Sequence, residues 1–271
     1  MNNKTNNTLM DLRDIHKNAK NIWEKLRLRT HILAIKMLKA KKDIPKEAKR
    51  PVKNLGYHLD LCQGFALSRW KGETIAMLKE DMWCFEPVVG FGLAEPPKFF
   101  LEGNNRFPSS AMTQEAGKNW AQSFPCLKVG KYVGIVSAPL ETCNFEPDIF
   151  VIYCDPSQLT HLLIIKECID GDSITCTLSG HSGCVYTIVP VLQNKECQIT
   201  SPCMGDRRTA MTQDNEIIFS APIEVLVDFS KALNYLGKQD IWKFPWTPTL
   251  CPEHKLSESY IKIGKIIGMN L

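Results

Sequence analysis

Residues 132–168 read YVGIVSAPLETCNFEPDIFVIYCDPSQLTHLLIIKEC, and the order of patterns in this stretch decides the fold class. Tyr132 to Ala138 is a strand, because the run GIVSAPL is apolar, of strand length and compatible with burial on both faces. Asp148 to Tyr153 is a second strand. Pro156 then opens a helix to Cys168, with proline in the first turn, where its missing N–H costs nothing.

The same alternation continues toward the C-terminus. Ile174 to Leu178, Cys197 to Thr200 and Glu216 to Ser220 read as strands, with a helix from about Gly183 to Leu192 between the first two. Pro222 opens an amphipathic helix carrying Val225, Leu226, Phe229, Leu233 and Leu236 on one face, ended by Gly237. Toward the N-terminus, Glu115 to Phe124 is a short helix. Glu95 to Pro108, with three prolines, a glycine and two asparagines, is a loop or lid-like excursion. Thr74 to Leu78 and His31 to Leu38 are strands, Leu59 to Trp70 is a helix, and Cys84-Phe-Glu-Pro opens a Gly-rich turn. The clearest helix is Asp11 to Leu28, where Leu9, Leu12, Ile15, Ala19, Ile22, Trp23 and Leu26 keep a 3.6-residue period. Thr8 with Asp11 resembles a capping box at its start. Interleaved strands and helices define an α/β or α+β protein, a layered mixed sheet with helices. An N-terminal helix and a C-terminal helical tail flank it. In the tail, Leu256, Tyr260, Ile263 and Ile267 form a stripe expected to pack on the parent domain.

Composition excludes several function classes. Hydrophobic residues make up 44% and charged residues 23%, which is ordinary globular usage. The 33 basic and 29 acidic residues are mixed along the chain and leave a formal charge of +4, so no broad footprint for nucleic acid exists. No run approaches the ~18 apolar residues that cross a bilayer. The polar start MNNKTNNTLMDLRD has no signal-peptide core. A cytoplasmic protein is expected, neither membrane-bound nor bound to nucleic acid. Eleven cysteines, an odd number with no CxxC pair, argue against a disulfide scaffold, a zinc ribbon and a thioredoxin motif. Most are expected to be small buried hydrophobes, and the rest ligands drawn from distant parts of the chain.

Two local motifs could carry chemistry. Pro202-Cys203-Met204-Gly205-Asp206-Arg207-Arg208 is expected to form a tight turn after a strand and expose the thiol. Arg207 and Arg208 would there favour a thiolate or an anionic ligand, or else one of them pairs with Asp206 to brace the turn. Ser179-Gly180-His181-Ser182-Gly183-Cys184 ends a strand and starts a helix, so the amides around Gly180 and Gly183 form an anion site. Cys184 would lie in the first helical turn, where the dipole lowers a thiol pKa. Ser182 is equally an ordinary N-cap. Cys62, in Cys-Gln-Gly, and Cys84, in Trp-Cys-Phe-Glu-Pro, are polar-flanked thiols near a glycine, suited to a cofactor or to the core. Glu141, Glu146 and Asp148 put carboxylates at strand ends, where acid–base work or simple turn capping is possible. Nucleotide-loop, GxSxG and HExxH patterns are absent.

Read in order, these segments resemble the DUF169 family of uncharacterised bacterial and archaeal proteins, from about Leu28 to Leu236. The pieces are the His31–Leu38 strand, Cys62-Gln-Gly-Phe-Ala-Leu-Ser-Arg69, Cys84 with Gly90 and Gly92-Leu93, and Ala138-Pro139-Leu140-Glu141 with Pro147-Asp148. They continue through Asp155-Pro156-Ser157-Gln158, Gly183-Cys184, Pro202-Cys203-Met204-Gly205-Asp206-Arg207-Arg208, Glu216-Ile217-Ile218-Phe219 and Pro222. The resemblance divides the chain into an N-terminal helix (1–29), an α/β domain (30–238) and a Pro/Trp-rich tail with a C-terminal helix (239–271). It implies a prokaryotic cytoplasmic protein and singles out Cys62, Cys84, Cys184 and Cys203 as the motif thiols. It supplies no reaction.

Four motif thiols suit an iron–sulfur cluster or another metal, in a redox or cofactor-handling protein with a redox partner. The competing reading is a binding module or enzyme for a small anionic molecule held by the Gly180–Cys184 turn with His181, Asp206, Arg207 and Arg208. A third is a structural or regulatory partner protein without a ligand, for which the C-terminal stripe is the positive sign. Spacing along the chain does not decide among them, because positions 62, 84, 184 and 203 are far apart.

Overall fold

A computed structural model describes residues 11–239, 242–250 and 255–269. Its centre is a six-stranded sheet: β1 (Leu33–Leu38), β2 (Ile75–Leu78), β3 (Gly134–Pro139), β4 (Ile149–Cys154), β5 (Gln198–Thr200) and β6 (Ile217–Pro222). The spatial order is β2-β3-β1-β4-β6-β5, and every neighbouring pair runs antiparallel. Continuous apolar strands are typical of parallel sheets covered on both sides. Here the same pattern arises in an antiparallel sheet because helices cover both faces.

Alternation along the strands shows the two faces directly. Leu33, Ile35, Ile149, Val151, Tyr153 and Ile218 point into one core, and Ala34, Phe150, Ile152, Phe219 and Ala221 into the other. The second core is closed by α1 (Leu12–Lys25), α6 (Pro156–Asp170) and α9 (Leu226–Leu236). Ile15, Ile22 and Leu26 are fully buried there. At on the order of 1.5–3 kcal/mol per buried large aliphatic side chain, α1 is an integral part of the fold rather than an appendage. The first core is closed by α2 (Leu61–Lys71) and α7 (Gly183–Asn194), with α3 (Phe85–Gly90), α4 (Lys98–Leu101) and α5 (Gln114–Ser123) at its rim. A single-turn helix, α8 (Met204–Thr209), follows β5.

Several expectations change. Residues 174–178 form no strand: the segment runs beside the edge strand β5, where the Thr177 carbonyl accepts from the Gln198 side-chain Nε2 at 3.1 Å and no ladder forms. The expected turn after Cys84 is the helix α3, and the Glu95–Pro108 excursion contains α4. Gly103 and Gly117 bring that excursion onto α5: a Cβ at Gly103 would lie 2.2 Å from the Gly117 carbonyl carbon. Gln114 Nε2 reinforces the junction by donating to Asn104 Oδ1 at 2.8 Å. Asp11 caps α1 by accepting from the Arg13 amide. Thr8, Leu9 and Cys251 lie outside the described residues. The stripe on α10 (Glu258–Ile266) does not pack inward, since Tyr260, Ile263 and Ile267 are exposed. Instead Phe244 and Trp246 of the tail cover the buried ring of His161. No helix among the described residues is long and apolar enough to cross a membrane.

Candidate metal centre

Three helix starts converge over the end of β4. Asp60 caps α2 in a reciprocal box with Gln63, its Oδ1 accepting the Gln63 amide at 2.6 Å. This puts Cys62 in the first turn. The other oxygen of Asp60 accepts the Thr209 hydroxyl at 2.7 Å, which ties the start of α2 to the end of α8. Cys184 stands in the first turn of α7, and Cys203 is the residue before α8. Gly183 lets α7 approach α8 closely: a Cβ there would sit 2.9 Å from Asp206 Oδ2 and 3.1 Å from the Cys203 nitrogen.

In this arrangement the Cys62 thiol neighbours those of Cys184 and Cys203, near enough for both to shift its titration. The sulfurs of Cys62 and Cys203 and a carboxylate oxygen of Asp206 all lie within 4.8 Å of one another. Asp206 is fully buried, accepting the Tyr153 hydroxyl at 3.1 Å, the Cys203 amide at 3.1 Å and the Cys203 thiol at 3.3 Å. No arginine braces it; Tyr153 fills that role. Behind Tyr153, the Arg69 guanidinium stacks 3.9 Å from the ring centre and donates to Glu216 at 2.8 and 3.2 Å.

The thiols are not equivalent. Cys203 is held below its ordinary pKa, chiefly through the neighbouring Cys62 thiol, with the Asp206 and Gly183 amides adding to the effect. Cys62 is pushed far up, first by the neighbouring Cys184 and Cys203 and then by burial. The Cys62 thiol lowers Cys184, but burial and the nearby Cys203 and Asp206 charges outweigh it, so Cys184 ends above its usual value. The dipole effect expected of its helical position is overridden. Cys84 is also raised, by burial first and then by the neighbouring Cys184 and Glu86 charges. It therefore borders the group on the side of Cys184, with its thiol donating to Glu86 Oε2 at 3.5 Å.

The remaining expected residues fall elsewhere. The Gly183 amide of the supposed anion turn faces the Cys203 sulfur, and Gly180 is at an open apex. Ser182 is at the cap position but adopts φ 54°, and its hydroxyl makes no cap bond. Arg207 donates to the Gln213 carbonyl at 2.9 Å and Arg208 is exposed. The arginine that meets His181 is Arg106, whose Nη1 donates to His181 Nδ1 at 3.2 Å and Nη2 to Glu86 at 2.6 Å. Nothing in the sequence marked Arg106, an arginine in an aperiodic loop. Tyr153 read only as a strand residue.

Burial of the other thiols has a consequence for the metal-free protein. Burial raises Cys143 to about 11 and Cys197 to about 12. A thiol that keeps its proton longer in the fold than in the unfolded chain makes unfolding easier as pH rises past the unfolded value. Stability is expected to fall by about 1.4 kcal/mol per pH unit for each such thiol, from roughly pH 9 to 11. Urea midpoints measured at pH 8, 9 and 10 should drop progressively; a constant midpoint would contradict it.

Fold and site together define an antiparallel α+β protein with a buried cysteine–aspartate cluster at one end of its sheet. A family model for DUF169, described as an uncharacterised ArCR family, matches residues 21–231. The chain belongs to this family. It is 24% identical over 236 residues to an uncharacterised protein of Methanocaldococcus jannaschii, covering 86% of this chain and 98% of that one. No solved structure matches it.

Proposed function

We propose that this protein holds a thiophilic metal ion at Cys62, Cys203 and Asp206, in a redox or cofactor-handling role. The observation that carries the reading is the mutual approach of two sulfurs and a carboxylate oxygen to within 4.8 Å, Cys62 from the start of α2 and Cys203 with Asp206 from the start of α8. Metal–sulfur bonds of about 2.3 Å in a tetrahedral site set donors about 3.8 Å apart, so a small closure accommodates one ion. Two thiolates and a carboxylate leave a fourth position, available to Cys184 or to an exogenous ligand. The outer contacts also suit a metal: Tyr153 orients the carboxylate and the Gly183 amide supports the Cys203 sulfur.

An iron–sulfur cluster is the second reading, favoured by Cys184 and Cys84 extending the row of thiols beyond the triad. Anaerobic purification followed by metal and acid-labile sulfide analysis separates the two. One ion per chain without sulfide is expected; iron with sulfide in a brown preparation favours the cluster. A colourless, metal-free protein that takes up neither zinc nor cobalt would overturn both.

A further inference from the structure

Beside the thiols, buried donors without partners gather around Arg106. Its guanidinium lies 3.9 Å over the Trp120 ring, and Trp120 meets the His181 ring edge-on at 6.1 Å. Arg106 spends Nη1 on His181 and Nη2 on Glu86, yet its Nε is buried with no acceptor. The Trp120 indole nitrogen is buried without an acceptor as well, and so are both amide atoms of Asn105. Leaving such groups unmatched costs about 1–3 kcal/mol each. Arg Nε and Trp Nε1 only donate, so an oxygen acceptor is what satisfies them. Since Arg106 can only donate, His181 Nδ1 accepts, and the neutral ring presents its proton at Nε2, a further donor.

We infer that Arg106, Trp120 and His181, with Asn105, form a binding site for the carboxylate group of a small molecule. Its charge favours a carboxylate over a phosphate dianion. Glu86 already balances the guanidinium, and His181 is held neutral by burial and by Arg106. The site therefore has no net charge of its own, and its unmatched N–H donors meet a single delocalised negative charge at lower cost than two. The floor is apolar, built from Phe100 and Phe124 against Trp120, and an apolar surround strengthens each hydrogen bond to the ligand. Asn105 offers both a donor and an acceptor, which suits a hydroxyl next to the carboxylate. The site shares its elements with the thiol centre: Glu86 follows Cys84 by two residues and His181 precedes Cys184 by three. The inference stands on the donor set and does not require a bound metal.

The test titrates glycolate and inorganic phosphate into the full-length protein, with and without prior chelation of metal, using calorimetry and tryptophan fluorescence. Saturable binding of one glycolate, tighter than phosphate, is expected in both preparations. Arg106→Gln and Trp120→Phe should each weaken it about 10-fold or more, with unchanged far-UV circular dichroism. If Arg106→Gln does not fold, Trp120→Phe decides, because it keeps an aromatic ring and removes the N–H. Absence of saturable glycolate binding, affinity unchanged in the folded variants, or phosphate binding more tightly than glycolate would overturn the proposal. Binding lost only after chelation would overturn its independence from the metal.

Discussion

Arg69→Met is expected to destabilise the fold by about 3–5 kcal/mol, because it strands a buried carboxylate. Arg69 and Glu216 are 1% and 4% exposed, and the guanidinium also donates to the Thr212 hydroxyl at 3.2 Å and stacks on Tyr153. Removing the cation leaves Glu216 with only the Gln213 amide at 2.8 Å. At roughly 2–4 °C per kcal/mol for a domain near this size, the melting temperature falls by roughly 10 °C. The second arm is Arg69→Met with Glu216→Leu. Replacing a whole buried pair by apolar groups is often neutral, so the double variant should regain much of the loss. A single variant within about 1 kcal/mol of wild type would mean that water reaches the pair, against its burial in the structure.

The strands were legible because burial on both faces leaves a simple signature. GIVSAPL and IFVIYC have no polar side to hide, and the structure buries every residue of β3 and β4. Residues 174–178 show where that signature fails. A strand needs ladder bonds as well as a pattern, and beside the edge strand β5 the Thr177 carbonyl is taken by the Gln198 side chain. The tail stripe fails similarly: periodicity reports an apolar face without saying what covers it.

For the site, the four motif cysteines were legible as residues but not as a geometry. Cys62, Cys184 and Cys203 each stand at a helix start, and those starts meet only because α2, α7 and α8 close one end of the same sheet face. The adjacent arginines after Cys203 drew attention by their charge. The groups that touch the site carry weaker marks: Tyr153 is one of six apolar or aromatic residues in a strand, and Arg106 depends on Gly103 and Gly117 to bring its loop inward.

Proton competition gives the metal reading its sharpest consequence. Cobalt affinity, followed anaerobically through thiolate-to-metal absorption, is expected to rise with pH, because each bound thiol must lose its proton. Below the titration of Cys203 both Cys62 and Cys203 release one, so affinity should climb by about 100-fold per pH unit. Once Cys203 is ionised, only Cys62 still carries a proton, and the slope should ease to about 10-fold per unit. The break follows from their opposite displacements, Cys203 downward and Cys62 far upward. Cys62→Ser removes the later-titrating ligand. Its affinity should fall more than about 100-fold, since even outer contacts to a metal ligand are worth 10–100-fold, and the upper limb should become flat. Cys203→Ser should lose the break instead and keep a slope of about 10-fold per unit throughout. Tyr153→Phe, which removes only the bond to Asp206, should cost about 10–100-fold with both slopes preserved. A Cys62→Ser protein with the wild-type profile would remove Cys62 from the coordination sphere and with it the proposed centre.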